Sequence, residues 1–326
     1  MEKNDNILIT GASGFIGLNL VKNLEKNGYR NLRLTSNTRD TRETPQYESH
    51  KGDLRDAEFC KTVTEGIDVI FHCAANTSNA LDTKFNPLIH VTPNLEMNIN
   101  LLEQAWKNKV SKFVFLSSST VYPDMGDEKL SEENKINGTE LIPAYKAVGG
   151  MKRYTEELCE FFSNTINDPM QCIVIRPGNA YGQFDKFDFE KCHVTPASIR
   201  KVAEKMDPIP VWGDGKDVRD LIYIEDLVDG ILFVAENTNS FDVINVCHGE
   251  AYSVNEVLDI LKGIANHNTE LEHVDNKAFM VSIRRMSNDK IKKMGWHPKH
   301  TIKEGLEKAY HWYKNNTHRY NSESKL

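Results

Sequence analysis

Short, nearly unbroken apolar runs alternate with stretches of helical period through the first two thirds of the chain. NILIT (Asn6–Thr10) reads as a strand, and Gly14–Asn27 as a helix with Ile16, Leu20 and Leu24 on one face. Leu32–Thr35 and His50–Asp53 read as further strands, Ala57–Glu65 as a helix, and VIFHC (Val69–Cys73) as a buried strand. Helix Leu95–Asn108, strand Phe113–Ser117, helix Lys152–Ser163 and strand Gln171–Ile175 continue the alternation. Apolar strands separated by helices predict an α/β protein built on a doubly wound parallel sheet. Near residue 177 the pattern changes: loops rich in Gly, Pro and Asp lengthen around the helical patterns Pro196–Lys205, Glu225–Glu236, Val254–Ile264 and Ile302–Lys314. The expectation is a first domain over 1–176, joined by later strands from about 215–250, and a smaller C-terminal α/β lobe over 177–326. The tail NSESKL is expected to fray.

Composition narrows the class only a little. The 326 residues hold 39% hydrophobic and 27% charged residues, ordinary for a globular chain that can bury a large core. A net charge of −7, with both signs mixed along the chain, argues against a nucleic-acid partner. No apolar run approaches the ~20 residues of a membrane span, and MEKNDNILITG enters a strand without a signal-peptide core. Six scattered cysteines lack ligand spacing, and the eleven histidines form no HExxH or HxxxH, so the chain reads as a soluble, reduced, cytoplasmic protein without a metal.

The chemistry begins at the first turn. ILITGASGFIGLNL is strand, glycine turn and helix, with Gly11, Gly14 and Gly17 spaced G-x-x-G-x-x-G. Small residues there admit a pyrophosphate to the backbone, and the helix N-terminus favours its charge, so the turn from Gly11 through Ser13, Gly14, Phe15 and Ile16 to Gly17 reads as a Rossmann-type dinucleotide site. The run after the second strand is LTSNTRDTR, where an acid would select NAD and an arginine NADP. Ser36, Asn37 and Arg39 lie nearest and Asp40 comes later, which favours NADP while leaving NAD open. Asp53 and Leu54 of GDLRD are candidates to clamp the adenine, and Ala74 and Ala75 are small residues where the chain must pass beneath a cofactor.

The motifs TGASGFIG, GDLRD, FHCAA, FLSSSTVYP, RPGNAYG, VWGDGKDVRDLIYIEDLVDGI and MGWHPKHTIKEGLEKAYHWY follow one another over nearly the whole chain. In that order the sequence resembles the extended short-chain dehydrogenase/reductases of nucleotide sugars, the NAD-dependent epimerase/dehydratase family. QFDKFDFEKCHVTPASIRK is most similar to its GDP-fucose synthase branch. The resemblance implies NAD(P)-dependent hydride transfer at C4 of a nucleotide-linked sugar, a GDP-linked hexose or heptose being favoured, in a homodimer formed through helices 95–108 and 152–163. It also implies a Ser or Thr that orients the sugar oxygen, a tyrosine acid/base, and a lysine that holds the nicotinamide ribose. Counting back from Tyr122 gives Ser118, with Ser119 and Thr120 beside it; Pro177 falls on the cofactor side, and Lys152 matches the lysine because KRYTEELCEF continues as the family's helix does.

Two departures stand out. The tyrosine position, four residues before Lys152, is Val148, and the nearest phenol is Tyr145. Seven residues return a side chain to nearly the same helix face but about 10 Å along the axis, so Tyr145 serves only if the helix starts late, as Gly149-Gly150 would permit; otherwise it is packing at the pocket rim. The family's epimerising histidine matches His193, but its cysteine partner is Thr120, a far poorer base. Double epimerisation is therefore not expected, and His193 either moves one proton or only binds the sugar. For the nucleotide, Asn179, Arg219 and Arg284 or Arg285 are phosphate candidates, and Trp212 a surface for the nucleoside. A chain that keeps both pockets yet lacks the acid also fits a non-catalytic binder.

Overall fold

The computed structural model describes residues 1–41, 43–77, 87–130, 136, 138–275 and 281–321; the last five residues of the polar tail lie outside them. In chain order the strands are β1 (Ile7–Thr10), β2 (Leu32–Ser36), β3 (Glu48–Lys51), β4 (Val69–His72), β5 (Lys112–Leu116), β6 (Lys129–Leu130) and β7 (Gln171–Pro177). They continue as β8 (Asn179–Tyr181), β9 (Ile209–Trp212), β10 (Val218–Tyr223), β11 (Asp242–Val246), β12 (Ala251–Ser253), β13 (Leu271–Val274) and β14 (Ile283–Met286). The helices used below are α1 (Phe15–Lys26), α2 (Ala57–Thr64), α3 (Thr92–Lys107), α4 (Lys146–Asn164), α5 (Val194–Ala203), α6 (Ile224–Asn237) and α7 (Val254–Ala265).

Seven parallel strands form the main sheet in the order β11-β7-β5-β4-β1-β2-β3. The two-residue period of β1 divides its side chains between two cores. Ile7 and Ile9 pack toward α1 and α6, while Leu8 packs toward α2, α3 and α4. Both faces are thus covered by helices, which is why these strands are apolar throughout. Chain order reverses between β1 and β4, and the C-terminal edge beside such a switch is where an open α/β sheet forms its crevice.

The main sheet takes β11 from the later sequence, whereas β10 lies in a second sheet of order β12-β10-β14-β6, with β8 also paired to β10. The hairpin-length strand β6 reaches that sheet from residues 129–130, and β9 pairs with β13 apart from both sheets. Helix α7 is set by a capping box between Ser253 and Glu256.

Candidate functional site

The glycine turn is tight for measurable reasons. Gly11 sits at φ +65°, and a Cβ added to it would fall 2.7 Å from the Ala74 Cα. At Gly17 an added Cβ would fall 2.3 Å from the Gly11 carbonyl oxygen, so α1 could not seat against β1 with any side chain there. Gly14 is the N-cap residue of α1 without a side-chain cap, and its amide donates to the Gly11 carbonyl at 2.9 Å, which leaves the Ser13, Phe15 and Ile16 amides to meet a phosphate. A pyrophosphate therefore fits this turn, on steric and hydrogen-bonding grounds alike. Thr10 Oγ1 accepts from the Ala74 amide at 3.2 Å and so fixes the β4 end beside the turn, while Ala75 is exposed beyond it.

At the end of β2, Ser36 is buried while Asn37 and Arg39 are exposed, and Arg39 makes no hydrogen bond or ion pair among the described residues. Asp40 is engaged by Lys51 at 3.3 Å. Asp53 is forked by Arg55, whose guanidinium holds its carboxyl below the ordinary range, and Leu54 is buried in the core with α2.

The second group of residues meets at the end of β5. Lys152 Nζ donates to the Leu116 carbonyl at 2.8 Å and lies 4.5 Å from the centre of the Phe115 ring. Desolvation pulls its ammonium down to about 8, against an opposing pull from Glu156. Two residues beyond Leu116, the Ser118 hydroxyl accepts from the Thr120 amide (3.2 Å) and hydroxyl (3.0 Å). Behind them a buried network holds the strand: Ser117 donates to Glu156, Glu156 pairs with Arg176 at 2.6 Å, and Arg176 packs 4.9 Å from the Tyr122 ring. Tyr122 in turn donates to Asn245 of β11 at 2.9 Å.

Helix α4 does not start late. It begins at Lys146, continues without a break through Gly149-Gly150, and takes Tyr145 as its N-cap residue without a side-chain cap bond. The glycine serves contact rather than bending, since a Cβ on Gly149 would fall 2.4 Å from the Thr120 carbonyl. Val148 is half-buried in the first turn. Tyr145 reaches the serine loop by another route. Its ring lies 5.3 Å from the Arg284 guanidinium, and Arg284 Nη1 donates to the Ser119 carbonyl at 2.6 Å. Arg284 is 4% exposed and its Nη2 has no hydrogen-bond partner among the described residues, while Arg285 faces out toward Asp127 at 3.9 Å.

The sequence-derived residues divide between these places. Ser118, Ser119, Thr120, Lys152, Tyr145 and Arg284 converge at the end of β5. Arg219 stands beside Arg284 in the register of β10 and β14, donating to the Ser282 carbonyl at 3.1 Å. Trp212 is 56% exposed at the end of β9, and Asn179 is exposed on β8, just past Pro177. His193 holds the N-cap position of α5 without a side-chain cap bond, at a place solvent reaches, yet protein surrounds it: burial, Lys186 and His90 together lower its pKa.

Sequence reasoning missed His72. It is buried, bonded through Nδ1 to Thr10 Oγ1 (2.7 Å) and through Nε2 to Asn98 Oδ1 (2.9 Å), and burial pushes it down to about 4. Asn98 continues to Thr155 of α4 at 3.1 Å, so the glycine turn and the lysine helix are joined through one neutral imidazole. Only its place in the apolar run VIFHC signalled it.

The family model for the NAD dependent epimerase/dehydratase family matches residues 7–247. Over 313 residues the chain is 29% identical to GDP-mannose 3,5-epimerase 1 of Oryza sativa subsp. japonica, covering 94% of this chain and 81% of that one. Over 319 residues it is 25% identical to GDP-L-fucose synthase 1 of Arabidopsis thaliana, with 97% and 95% covered. A GDP-mannoheptose C4 reductase from Campylobacter jejuni, solved with NADP bound, superimposes with a TM-score of 0.81 at 26% identity, over 96% of this chain and 99% of that one.

Proposed function

The chain belongs to the NAD dependent epimerase/dehydratase family and is an NAD(P)-dependent enzyme of nucleotide-linked sugars, and from that premise we propose that it carries out redox chemistry at C4 of a GDP-linked hexose or heptose. The observation that carries this reading is the joint placement of Lys152 and Ser118 at the end of β5, beside the switch point and the glycine turn. The cofactor supplies the hydride donor or acceptor. Lys152 holds its ribose and stabilises negative charge at the sugar oxygen, which the Ser118 hydroxyl orients. Tyr145, tied to the serine loop through Arg284, moves the proton that Val148 cannot. Arg219 binds the diphosphate and Trp212 offers a face to the base, in keeping with the GDP sugars named for the relatives. With Thr120 in place of a thiol, solvent hydrogen enters at no more than one of C3 and C5, through His193.

We place the enzyme in the cytoplasm as a homodimer: Ile99, Tyr154 and Phe161 are exposed apolar side chains on α3 and α4, which pack side by side. Among the described residues no helix is long and apolar enough to cross a membrane. The test is turnover of a panel of GDP- and UDP-sugars, including 4-keto forms, with NADP(H) and NAD(H), after native mass spectrometry for carried-over ligands. Turnover of a GDP-sugar with loss or gain of NADPH absorbance is expected. Binding of cofactor and sugar without turnover of any sugar would establish a non-catalytic binder instead.

A further inference from the structure

The loop between β8 and α5 leaves the second lobe and lies across the first. The Gln183 carbonyl accepts from Asn19 of α1 at 3.1 Å, and Lys22 of the same helix stands 5.4 Å from the Phe184 ring centre. Three residues on, Lys186 reaches the loop after β4, donating to Thr77 Oγ1 at 3.1 Å and to the Thr77 carbonyl at 3.4 Å. These contacts carry the loop from α1 to the end of β4, across the glycine turn that lies between them.

Lys186 is half-buried and has no carboxylate at ion-pair distance among the described residues. Its neighbour Asp185 accepts from the Lys186 amide rather than the ammonium, and burial raises the Asp185 carboxyl to about 7. After burial, the largest influence on Lys186 is the charge of Arg39, which depresses it; Asp185 pulls the other way, and Lys191 depresses it further. Arg39 itself is exposed and unpartnered among the described residues. Lys186, bonded to Thr77 past β4, and Arg39, three residues past β2, thus flank the end of β1 and its glycine turn, each without a carboxylate at ion-pair distance among the described residues, in a chain whose net charge is −7. Like charges held together disfavour each other unless an anion joins them.

The place decides which anion. Arg39 follows β2, and in this fold the group beyond that strand is the adenosine ribose, whose 2′ position carries a phosphate in NADP and a hydroxyl in NAD. We propose that Lys186 joins Arg39 in binding the 2′-phosphate of NADP, so that the second lobe supplies half of the cofactor's recognition site. This rests on the nucleotide cofactor assigned above. A split site of this kind gives the loop 182–193 a role in choosing the cofactor as well as in carrying His193.

Fluorescence titration of the full chain with NADPH and with NADH tests it, on wild type, Lys186→Met, Lys186→Arg and Arg39→Ala. Losing one charge-assisted phosphate contact weakens NADPH binding about tenfold or more, with NADH unchanged within error. Lys186→Arg keeps the charge and is expected to retain the NADPH preference, and an unchanged melting temperature for Lys186→Met separates lost binding from lost folding. Equal weakening of both cofactors would overturn the proposal and move Lys186 to the pyrophosphate they share. No weakening of either would overturn it outright. Failure of wild type to bind either dinucleotide would defeat the cofactor assignment itself, a result distinct from both.

Discussion

From Lys152 to Glu156, four side chains of helix α4 are bonded to the end of β5, β7, α3 and the serine loop, whereas from Tyr145 to Gly150 it lies against the serine loop with no capping bond of its own. Lys152 takes the Leu116 carbonyl, Arg153 the Val121 carbonyl at 2.7 Å, Thr155 the Asn98 amide, and Glu156 both Ser117 and Arg176. The first turn offers Val148, where the family's chemistry wants a phenol, and Gly149, whose missing side chain lets the backbone meet Thr120. The supporting part of the site can therefore be kept while the reacting residue changes, because the two draw on different residues of one helix.

The sharpest way to break this contrast is Glu156→Ala. It strands the Arg176 guanidinium, 4% exposed, and the Ser117 hydroxyl inside the protein. Removing one partner of a buried pair costs about 3–5 kcal/mol, so the urea midpoint is expected to fall steeply. Glu156→Leu with Arg176→Met should recover much of it, since a buried pair replaced by apolar residues is often neutral. A wild-type midpoint for Glu156→Ala would show that the network behind β5 does not hold the strand.

Lys152→Ala sits next in size but on the other axis. The proposed role predicts a turnover loss of about a hundredfold to ten-thousandfold with little change in the denaturation midpoint, because the lysine's one hydrogen bond among the described residues goes to a strand-end carbonyl. A stability loss comparable to that of Glu156→Ala would place Lys152 with the structural residues and dissolve the distinction.

These two residues also show what was legible beforehand. The glycine turn could be read because most of its constraint is local: Gly14 and Gly17 meet Gly11 within one strand–turn–helix unit, and only the contact of Gly11 with Ala74 comes from elsewhere. Ser118 and Lys152 could be placed by the family resemblance, the serine by its place before Tyr122 and the lysine by the helix continuation KRYTEELCEF. The start of α4 could not, since what Gly149 answers to is the Thr120 carbonyl, far away in sequence. Arg284 drew attention as a possible phosphate ligand, but its contacts with Ser119 and Tyr145 depend on β14 pairing with β6 and β10, which no local pattern encodes. His72 was hidden for the opposite reason, a polar residue inside an apolar run whose partners Thr10 and Asn98 come from two other elements.

The pH dependence sharpens the comparison further. Burial lowers Lys152 to about 8, so the folded protein releases this proton at a pH where the unfolded chain still holds it. Between about 8 and the ordinary lysine value the unfolded state binds more protons, and this group's contribution to stability rises with pH. Turnover should move the other way. The charged ammonium is the form that holds the ribose, so the rate is expected to fall as pH rises through about 8 while the denaturation midpoint does not. Lys152→Arg, which keeps its charge throughout, should remove that limb from the rate profile.

The smallest expected effect asks whether the acid has moved along the helix. Tyr145 lies two turns before Lys152, too far to share its proton in the usual way, but the Arg284 guanidinium touches both the Tyr145 ring and the Ser119 carbonyl. That shared partner brings the phenol to the loop that carries Ser118. Tyr145→Phe keeps the ring against Arg284 and removes only the hydroxyl, so it should lower kcat by about a hundredfold and leave KM nearly unchanged. Val148→Tyr returns a phenol to the position four residues before Lys152, on the same helix face and about 6 Å away along the axis. On the Tyr145→Phe background it should restore most of the lost rate, which a change of packing alone would not do. If Tyr145→Phe turns over like wild type while His193→Asn does not, the proton travels through the histidine at the start of α5. The open first turn of α4 would then be a consequence of the missing tyrosine and not the place where it was replaced.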